Sequence, residues 1–294
     1  MKTTLLISLA VLGMIAAPLA ATESDDLFAV QEKGGWGYID KSGKTILKPI
    51  YEEAAHFAEG LAPVKIRGLF GYIDTKGKAI IEPQFDEARF FYKGIAPVRK
   101  GQLWGYIRRN GEFAIPLRYE VARSFQDEVA RVRIHNLWGY LKLSGDFLLE
   151  PMYDGANGFD EELASVRKGK SWGFIDKTGA FVIPPQFEMA QSFAEGLAGV
   201  EIDGKWGFVD HKGHLAIPAR FDEIAGFDET GGHGGLAPAR IGEEWGYIGQ
   251  DGAFRIKQSF EAAKSFQSGL AEVRIDQRMA YIDHTGKIVW KAVN

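Results

Sequence analysis

The chain contains no cysteine at all. Disulfide bonds, a cysteine nucleophile, cysteine-ligated metals and a lipid attached to cysteine are therefore excluded. Hydrophobic residues make up 46% of the sequence and aromatic residues 13%, which is enough apolar material for a packed core. Burial and hydrogen bonding must stabilise the fold without covalent cross-links.

The chain also lacks a strong net charge and, beyond its first residues, a long hydrophobic run. A formal charge of -4 gives no attraction to a phosphate backbone, so nucleic acid is not expected as a partner. An apolar run that follows Lys2 and ends before small residues at Ala20 and Ala21 is typical of a signal peptide. We expect a signal peptide at 1–21 and a mature β-repeat domain at 22–294. The protein is then located in the periplasm or outside the cell, with no stable membrane insertion after cleavage.

Sequence motifs of catalysis are missing as well. There is no Gly-x-Ser-x-Gly, no phosphate-binding glycine loop and no His-Glu-x-x-His. The strongest candidate for a metal site is His211 with His214, to which His233 and either Asp210 or Asp228 could be added. We interpret these histidines as exposed turn residues instead, so no catalytic residue, no metal site and no cofactor is expected.

A unit of about 34 residues recurs eight times along the chain. Each unit contains a Trp-Gly pair or a variant of it, and successive pairs are 34 residues apart except for one interval of 39. The five extra residues lie around 230–234 and are interpreted as a flexible surface insertion. The anchors of the eight units are Trp36, Phe70, Trp104, Trp138, Trp172, Trp206, Trp245 and Met279.

Each unit has the pattern of short β-strands separated by turns. The string Leu-Ala-x-Val-x-x-x-Gly-x-Trp-Gly-Tyr-Ile-Asp predicts a hairpin, and the glycine of the following Asp-x-x-Gly string predicts a second turn with a positive φ. A third strand follows. The next segment, Tyr51-x-x-Ala54-x-x-Phe57 in the first unit, predicts a short fourth strand or connector because flanking prolines leave no room for a helix.

Units of this size cannot bury a core alone and must stack on their neighbours. The predicted fold is therefore all-β, with eight tandem repeats that form a propeller-like ring or a curved superhelix. An open β-solenoid is the alternative.

The recurring strings resemble those of the WG-containing, or KWG-type, bacterial repeat family. The resemblance rests on strings such as Gly-Gly-Trp-Gly-Tyr-Ile-Asp at 34–40 and Gly-Lys-Trp-Gly-Phe-Val-Asp at 204–210, and it extends from Leu27 to Trp290. It implies a β-repeat protein, often exported, that mediates interactions. It implies no catalytic residues shared by the family.

A basic residue stands five positions before most anchors, and strand alternation predicts that it shares a face with Trp, Tyr and the following Asp. One interpretation is a repeated pocket in which arginines bind the carboxylates of a peptide, a glycan or an anionic polymer. The other is a ladder in which each Arg stacks on Tyr and bridges to the Asp of the next unit. We favour the ladder, because a feature of nearly every unit usually serves the stacking that all units share. The basic column, which is broken by Gln31 and Glu201, consists of Lys65, Arg99, Arg133, Arg167, Arg240 and Arg274.

The Trp residues could form sugar-binding aromatic boxes, but each adjoins a Gly in a dense hairpin, and we interpret them as packing residues. These structural anchors are Trp36, Trp104, Trp138, Trp172, Trp206 and Trp245. A surface for one particular partner is expected where the copies differ. The third and fourth units are more basic than the rest, which adds Arg108, Arg109 and His135 to the candidate partner-binding residues.

These patterns favour a non-enzymatic binding or scaffold protein whose repeat surface contacts a protein or a polysaccharide. Two alternatives stay open: an envelope enzyme that processes glycans or depends on a metal, and a secreted structural or inhibitory factor with one protein target. An enzyme should bring carboxylates or histidines together in one cleft. A binding protein should vary from unit to unit along one surface.

Overall fold

The computed structural model describes residues 27–228 and 235–292. The expected signal peptide at 1–21 and the insertion at 230–234, with His233, lie outside these ranges. Within the described ranges, no helix has both the length and the apolar composition needed to cross a bilayer.

The chain divides into two compact units. Clusters of buried aromatic and aliphatic side chains form the core of each unit. The first unit comprises Met1–Asn136 and Tyr140–Phe147, and the second comprises Leu137–Gly139 and Leu148–Asn294.

All regular secondary structure in the described residues is β-strand, arranged in eight antiparallel sheets that follow the chain order. The first sheet has three strands, β1 (Phe28–Glu32), β2 (Gly35–Ile39) and β3 (Thr45–Tyr51). The second sheet has β4 (Glu53–Ala54), β5 (Leu61–Ile66), β6 (Leu69–Asp74) and β7 (Ala79–Phe85). The third has β8 (Glu87–Ala88), β9 (Ile95–Lys100), β10 (Leu103–Arg108) and β11 (Phe113–Tyr119). The fourth has β12 (Val121–Ala122), β13 (Val129–Ile134), β14 (Leu137–Lys142) and β15 (Phe147–Tyr153).

The remaining four sheets repeat the same order of four strands. The fifth has β16 (Gly155–Asp160), β17 (Leu163–Lys168), β18 (Ser171–Ile175) and β19 (Phe181–Phe187). The sixth has β20 (Met189–Ala194), β21 (Leu197–Ile202), β22 (Lys205–Val209) and β23 (Leu215–Phe221). The seventh has β24 (Glu223–Ile224), β25 (Ala237–Ile241), β26 (Glu244–Ile248) and β27 (Phe254–Phe260). The eighth has β28 (Ala262–Ala263), β29 (Ala271–Ile275), β30 (Arg278–Ile282) and β31 (Ile288–Lys291).

Two kinds of turn connect the strands of a sheet. The hairpin between the second and third strands closes on two residues with positive φ, for example Arg67 at 52° and Gly68 at 79°. Both angles match the type I′ turn that suits the twist of a hairpin. In the next turn, the amide of Gly43 donates to the carbonyl of Asp40 at 2.9 Å, and Gly43 has a φ of 83°. This is the second turn predicted from the Asp-x-x-Gly string.

Neighbouring sheets are joined by the Tyr of the Trp-Gly-Tyr string. The Tyr72 hydroxyl donates to the carbonyl of Arg89 at 2.7 Å, and the Tyr106 hydroxyl donates to the carbonyl of Arg123 at 2.8 Å. Each acceptor lies 17 residues downstream, in the segment that opens the next sheet. The rings are fully buried, so each phenol combines apolar packing with one directed hydrogen bond.

The all-β fold class with eight tandem repeats is confirmed by this architecture. The segment that begins at Tyr51 also forms the predicted short strand, since Glu53 and Ala54 make up β4. It pairs with β5, so it opens the sheet of the following repeat rather than closing its own. Each of the seven four-stranded sheets is thus assembled from two adjacent copies of the sequence unit.

The two end sheets expose side chains at positions that inner sheets bury. In β1, Phe28 is half exposed, whereas Ala62, at the same position one repeat later, is fully buried. In β31, Trp290 is half exposed, whereas Ile256, at the matching position of the preceding repeat, is buried. The first and last repeats therefore expose apolar side chains at positions where inner repeats bury them.

Candidate functional site

The basic column lies directly opposite the anchors. Cross-strand partners point to the same face of a sheet, so cation and anchor share one face, as predicted. The pairs in the hairpin register are Lys65–Phe70, Arg99–Trp104, Arg167–Trp172, Arg240–Trp245 and Arg274–Met279. The Lys65 Nζ lies 5.4 Å from the centre of the Phe70 ring, and the Arg240 guanidinium carbon lies 5.9 Å from that of Trp245.

The acidic partners of this column are glutamates within the same sheet. The ion pairs are Lys65–Glu53 at 2.7 Å, Arg99–Glu87 at 2.8 Å, Arg133–Glu120 at 3.2 Å and Arg240–Glu223 at 3.0 Å. Three of these glutamates stand on the short first strand, directly across from their basic partner. Because these pairs are partly exposed, each contributes only about 0.2–1 kcal/mol.

The expected bridge from the basic column to the Asp of the next unit is wrong for these pairs. The Asp40 carboxylate instead accepts hydrogen bonds from its own turn: the Ser42 hydroxyl at 2.6 Å, the Ser42 amide at 2.9 Å and the Lys44 amide at 3.1 Å. These donors, the Ser42 hydroxyl foremost, hold the pKa of Asp40 below its usual range. A carboxylate that accepts these three hydrogen bonds caps its own turn, and it is not placed to pair with a cation of another unit.

Two members of the column have no glutamate opposite. An Arg167 guanidinium nitrogen donates to the carbonyl of Asp154 at 3.1 Å. Arg274 faces Ala262, is exposed, and makes no side-chain hydrogen bond or ion pair with the described residues. The column therefore comprises mostly intra-sheet ion pairs and one exposed cation.

The Trp anchors take part in packing. Trp104 is 5% exposed and belongs to a core cluster with Tyr119 and Phe125. Trp36, Trp172, Trp206 and Trp245 are partly buried against the core clusters of their own repeats, and Trp138 is partly buried.

A row of cross-strand pairs differs from repeat to repeat, and we call it the variable row. Each pair joins the residue after the Ala of Tyr-x-x-Ala-x-x-Phe, which lies on or directly after the first strand of a sheet, to the x of Leu-Ala-x-Val on the second strand. The pairs are Ala55/Pro63, Arg89/Pro97, Arg123/Arg131, Asn157/Ser165, Gln191/Gly199, Ala225/Pro238 and Lys264/Glu272. Sequence reasoning missed this row, although a variable position between constant neighbours was the available signal.

Most pairs with two polar members in this row are complementary. The Asn157 amide donates to the Ser165 hydroxyl at 2.8 Å, and the Lys264 ammonium forms an ion pair with Glu272 at 3.0 Å. In the fourth sheet, by contrast, two cations stand opposite each other, since the Arg123 amide donates to the Arg131 carbonyl at 3.0 Å. The row thus changes its charge along the chain.

The constant part of the repeat matches a known family. The sequence profile of the "WG containing repeat" matches this chain seven times in tandem, at residues 36–70, 70–104, 104–138, 138–171, 172–206, 206–244 and 245–278. The chain belongs to the WG containing repeat family. The anchor of the eighth copy lies outside the matched residues, and Met279-Ala280 stands there in place of the Trp-Gly pair.

Solved structures show the fold of this WG repeat protein but not its role. It is similar to a crystal structure of the eukaryotic initiation factor, with a TM-score of 0.60 and 10% identity over 93% of this chain and 86% of that one. It is also similar to dihydro-heme d1 dehydrogenase NirN in complex with DHE, with a TM-score of 0.54 and 12% identity over 95% of this chain and 75% of that one. No curated protein matches the chain. The WG repeat β-fold is consistent with a binding or scaffold role.

The other basic candidates of the third and fourth units lie in turns or at a strand end. Arg108 is exposed and donates to the Phe113 carbonyl at 3.3 Å. Arg109 pairs with Glu59, with a shortest nitrogen-to-carboxylate distance of 3.6 Å. His135 is exposed and occupies a hairpin turn with a φ of 51°. These residues do not form one cluster with the basic column.

Two histidines form matching contacts in the second compact unit. His211 stacks on Phe193 and His284 stacks on Phe266, with ring centres 4.3 Å and 4.1 Å apart. Each histidine lies next to the Asp that caps its turn, and each places its Nε2 atom 2.9 Å from a carboxylate. The acceptors are Glu161 for His211 and the buried Asp228 for His284.

The remaining histidine candidate behaves as predicted for a turn residue. His214 is largely exposed and contacts Asp210 at 3.1 Å. Within 27–228 and 235–292, no three His, Cys, Asp or Glu side chains converge closely enough to hold a metal ion.

Replacing Asp228 by Asn is expected to lower the free energy of unfolding by about 2 kcal/mol. Asp228 accepts the Leu236 amide at 2.6 Å and bonds His284 at 2.9 Å, and an Asn side chain replaces the charged acceptor of both contacts by uncharged groups, with its NH2 group able to bond only an unprotonated His284 Nε2. Urea denaturation measures the change. Glu223→Gln is the control, because it removes only an exposed partner of Arg240 and is expected to stay within about 0.5 kcal/mol of the parent. Equal losses in the two variants would contradict a stabilising role of the buried carboxylate.

Proposed function

We propose that this WG repeat protein is a non-enzymatic binding or scaffold protein of the bacterial periplasm or exterior. Its repeat surface binds a protein or a polysaccharide, and the variable row contacts that partner. The proposal needs no cofactor. Nucleic acid is not the proposed partner, because a formal net charge of -4 gives no general attraction to a polyanion.

The proposal rests on one observation: within the repeat, the constant residues have structural roles and the residues that vary lie elsewhere. The constant residues have structural tasks: Tyr72 bonds the next sheet, Gly43 permits a turn, and Asp40 caps that turn. A site of catalysis would be expected to interrupt this regularity once, with convergent acids and bases. The residues that differ between copies are instead distributed along one row, which suits the recognition of an extended partner.

Contacts between sheets support a continuous row in the second compact unit. The Asn157 side chain donates to the Ala190 carbonyl at 3.3 Å, and the Gln191 side chain donates to the Ile224 carbonyl at 3.4 Å. Row residues thus reach from one sheet to the next. A partner that lies along the row would meet a different pair in each repeat.

Site-specific photo-crosslinking in producing cells tests the proposal. A photoreactive side chain is placed at the row positions Ala55, Gln191 or Lys264. In separate strains it is placed at Ile80 or Val182, two exposed positions on the last, or outer, strand of their sheets. We expect a discrete adduct of constant mass from the row positions and none from the outer-strand controls.

Two results would count against this function. One is a set of adducts that form only at the outer strands, since the partner then avoids the row. The other is the absence of any adduct together with turnover of an envelope glycan by the purified protein, which would support the enzyme alternative.

A further inference from the structure

The most unusual part of the variable row is its arginine cluster in the first compact unit, formed by Arg89, Arg123 and Arg131. Like charges directly opposite each other on neighbouring strands are destabilising, and Arg123 faces Arg131 in this way. The same position in the eighth sheet carries Lys264 and Glu272, which attract each other. The Arg123–Arg131 pair thus places two cations where the eighth sheet has an ion pair.

Arg89 brings a third guanidinium to the same place from the neighbouring sheet. Its guanidinium carbon lies 5.2 Å from the centre of the Trp104 ring, which holds the side chain against the core. Burial first, and then the nearby Arg123 cation, lower the pKa of Arg89. The nearest acidic group that acts on Arg89 is Glu87, whose carboxylate already binds Arg99 at 2.8 Å and 3.0 Å.

The cluster also contains an unused donor. The Nε atom of Arg89 is buried and has no hydrogen-bond partner. Neither Arg89 nor Arg123 forms an ion pair with the described residues. A buried donor without an acceptor is costly in a folded protein, and so is the partly buried Arg89 cation without an ion pair; an anionic ligand would relieve both costs, with the exposed Arg123 beside it free to bind the same ligand.

We propose that Arg89, Arg123 and Arg131 bind the carboxylates of an acidic peptide segment of the partner protein. The inference rests on the proposed function and names the chemistry of its partner. Guanidinium groups bind carboxylates through paired hydrogen bonds, and adjacent guanidinium groups select closely spaced acidic residues. An acidic polysaccharide fits less well, because Trp104 is 5% exposed and offers no free aromatic face for a sugar ring.

Fluorescence anisotropy with a labelled oligo-glutamate peptide tests the cluster in the purified protein. Arg89→Gln with Arg123→Gln is expected to weaken binding by about tenfold per arginine, or on the order of a hundredfold together. The control variant combines Arg67→Gln with Arg278→Gln, which removes the same charge from two exposed positions outside the cluster and outside the candidate binding residues. It is expected to weaken binding by less than about threefold, through long-range electrostatics that salt screens.

Arg123→Glu separates binding from a merely structural role. It places a carboxylate opposite Arg131, as Glu272 stands opposite Lys264, so thermal stability is expected to rise while peptide binding is lost. A fall in stability together with retained peptide binding would show that Arg123 serves the fold and would overturn the proposal.

The remaining outcomes also decide between ligand classes. Tight binding of polygalacturonate without binding of the peptide would overturn the peptide assignment in favour of a polysaccharide. Equal competition by sulfate would reduce the cluster to a site for an adventitious ion only. If the parent protein does not bind the peptide while row positions still form adducts in cells, the proposal for the arginine cluster fails and the proposed function stands. If row adducts are absent as well, the proposed function fails.

Discussion

Above about pH 10, the folded protein is expected to lose stability steeply, because its buried tyrosines cannot ionise in place. Burial raises the pKa of Tyr38, Tyr72, Tyr106 and Tyr247 well above the ordinary value of 10.0. Below pH 10 both the folded and the unfolded chain hold these protons, so stability is unaffected. Above it the unfolded chain releases the protons while the folded chain retains them, and the free energy of unfolding falls.

The expected size of this effect is large. Each such tyrosine removes about 1.4 kcal/mol per pH unit once the pH exceeds its unfolded pKa. One unit above that value, four tyrosines together remove roughly 6 kcal/mol, a substantial part of the stability of an ordinary domain. Tyrosinate absorbance and intrinsic fluorescence, followed together against pH, are expected to change in one cooperative step.

Variants with Phe test the cause of the alkaline transition. Phe174 and Phe208 occupy the Tyr position in two natural copies and are fully buried, so the fold accepts Phe there. Replacing the four buried tyrosines by Phe is expected to move the alkaline transition to higher pH, although each lost hydroxyl costs about 1 kcal/mol at neutral pH. Tyr281→Phe, in the partly exposed eighth copy, is the control and should leave the transition where it is. Tyrosine ionisation that proceeds gradually in the folded protein would refute this account.

The glycine of the Trp-Gly pair is the second position with a large expected effect. A Cβ atom at Gly173 would lie 2.5 Å from the Ile183 carbonyl oxygen, 2.7 Å from the Pro185 nitrogen and 2.8 Å from the Pro184 carbonyl carbon. All three obstacles are backbone atoms, which cannot rotate away. Gly173→Ala is therefore expected to lower the free energy of unfolding by about 3 kcal/mol, measured by urea denaturation.

The cause of this crowding is a bulge in the adjacent strand. Trp172 pairs with Phe187 and Phe174 pairs with Ile183, so β19 has two more residues than β18 between these two pairs. The extra backbone crosses directly over Gly173. Prolines are tolerated in β19 because a bulge leaves amides outside the ladder.

Two further variants control for the loss of glycine itself. Gly226→Ala adds a Cβ where no atom lies within 4 Å and the φ is not positive, so it should be nearly neutral. In the eighth copy Ala280 naturally replaces the glycine, and it pairs with Lys291 in a register without the usual shift next to it. Ala280→Gly is expected to cost about 1–2 kcal/mol, from backbone entropy and from the loss of a buried methyl group. A Gly173→Ala variant as stable as Gly226→Ala would show that the backbone of the bulge moves to accommodate the Cβ atom, and would contradict this prediction.

Sequence reasoning was most successful where residues act locally. The Asp-x-x-Gly turn, the two-residue hairpin and the short strand after Tyr51 depend on neighbours a few positions away, and all three are confirmed. The partner of the basic column depended on which segment enters which sheet. Because β4 joins the sheet of the following repeat, Glu53 rather than an Asp meets Lys65.

By itself, the sequence determined that this is an eight-copy, all-β repeat protein with packed Trp-Gly hairpins, because the spacing of the copies and the residues that form each turn are local features of the chain. Only the tertiary structure decided what crowds each glycine and where each Tyr hydroxyl bonds. It also brought Arg89 from one repeat beside Arg123 from the next, 34 residues apart in the chain. Contacts between repeats depend on the bulges and strand exchange that set the sheets against one another, and a linear pattern does not specify these distances.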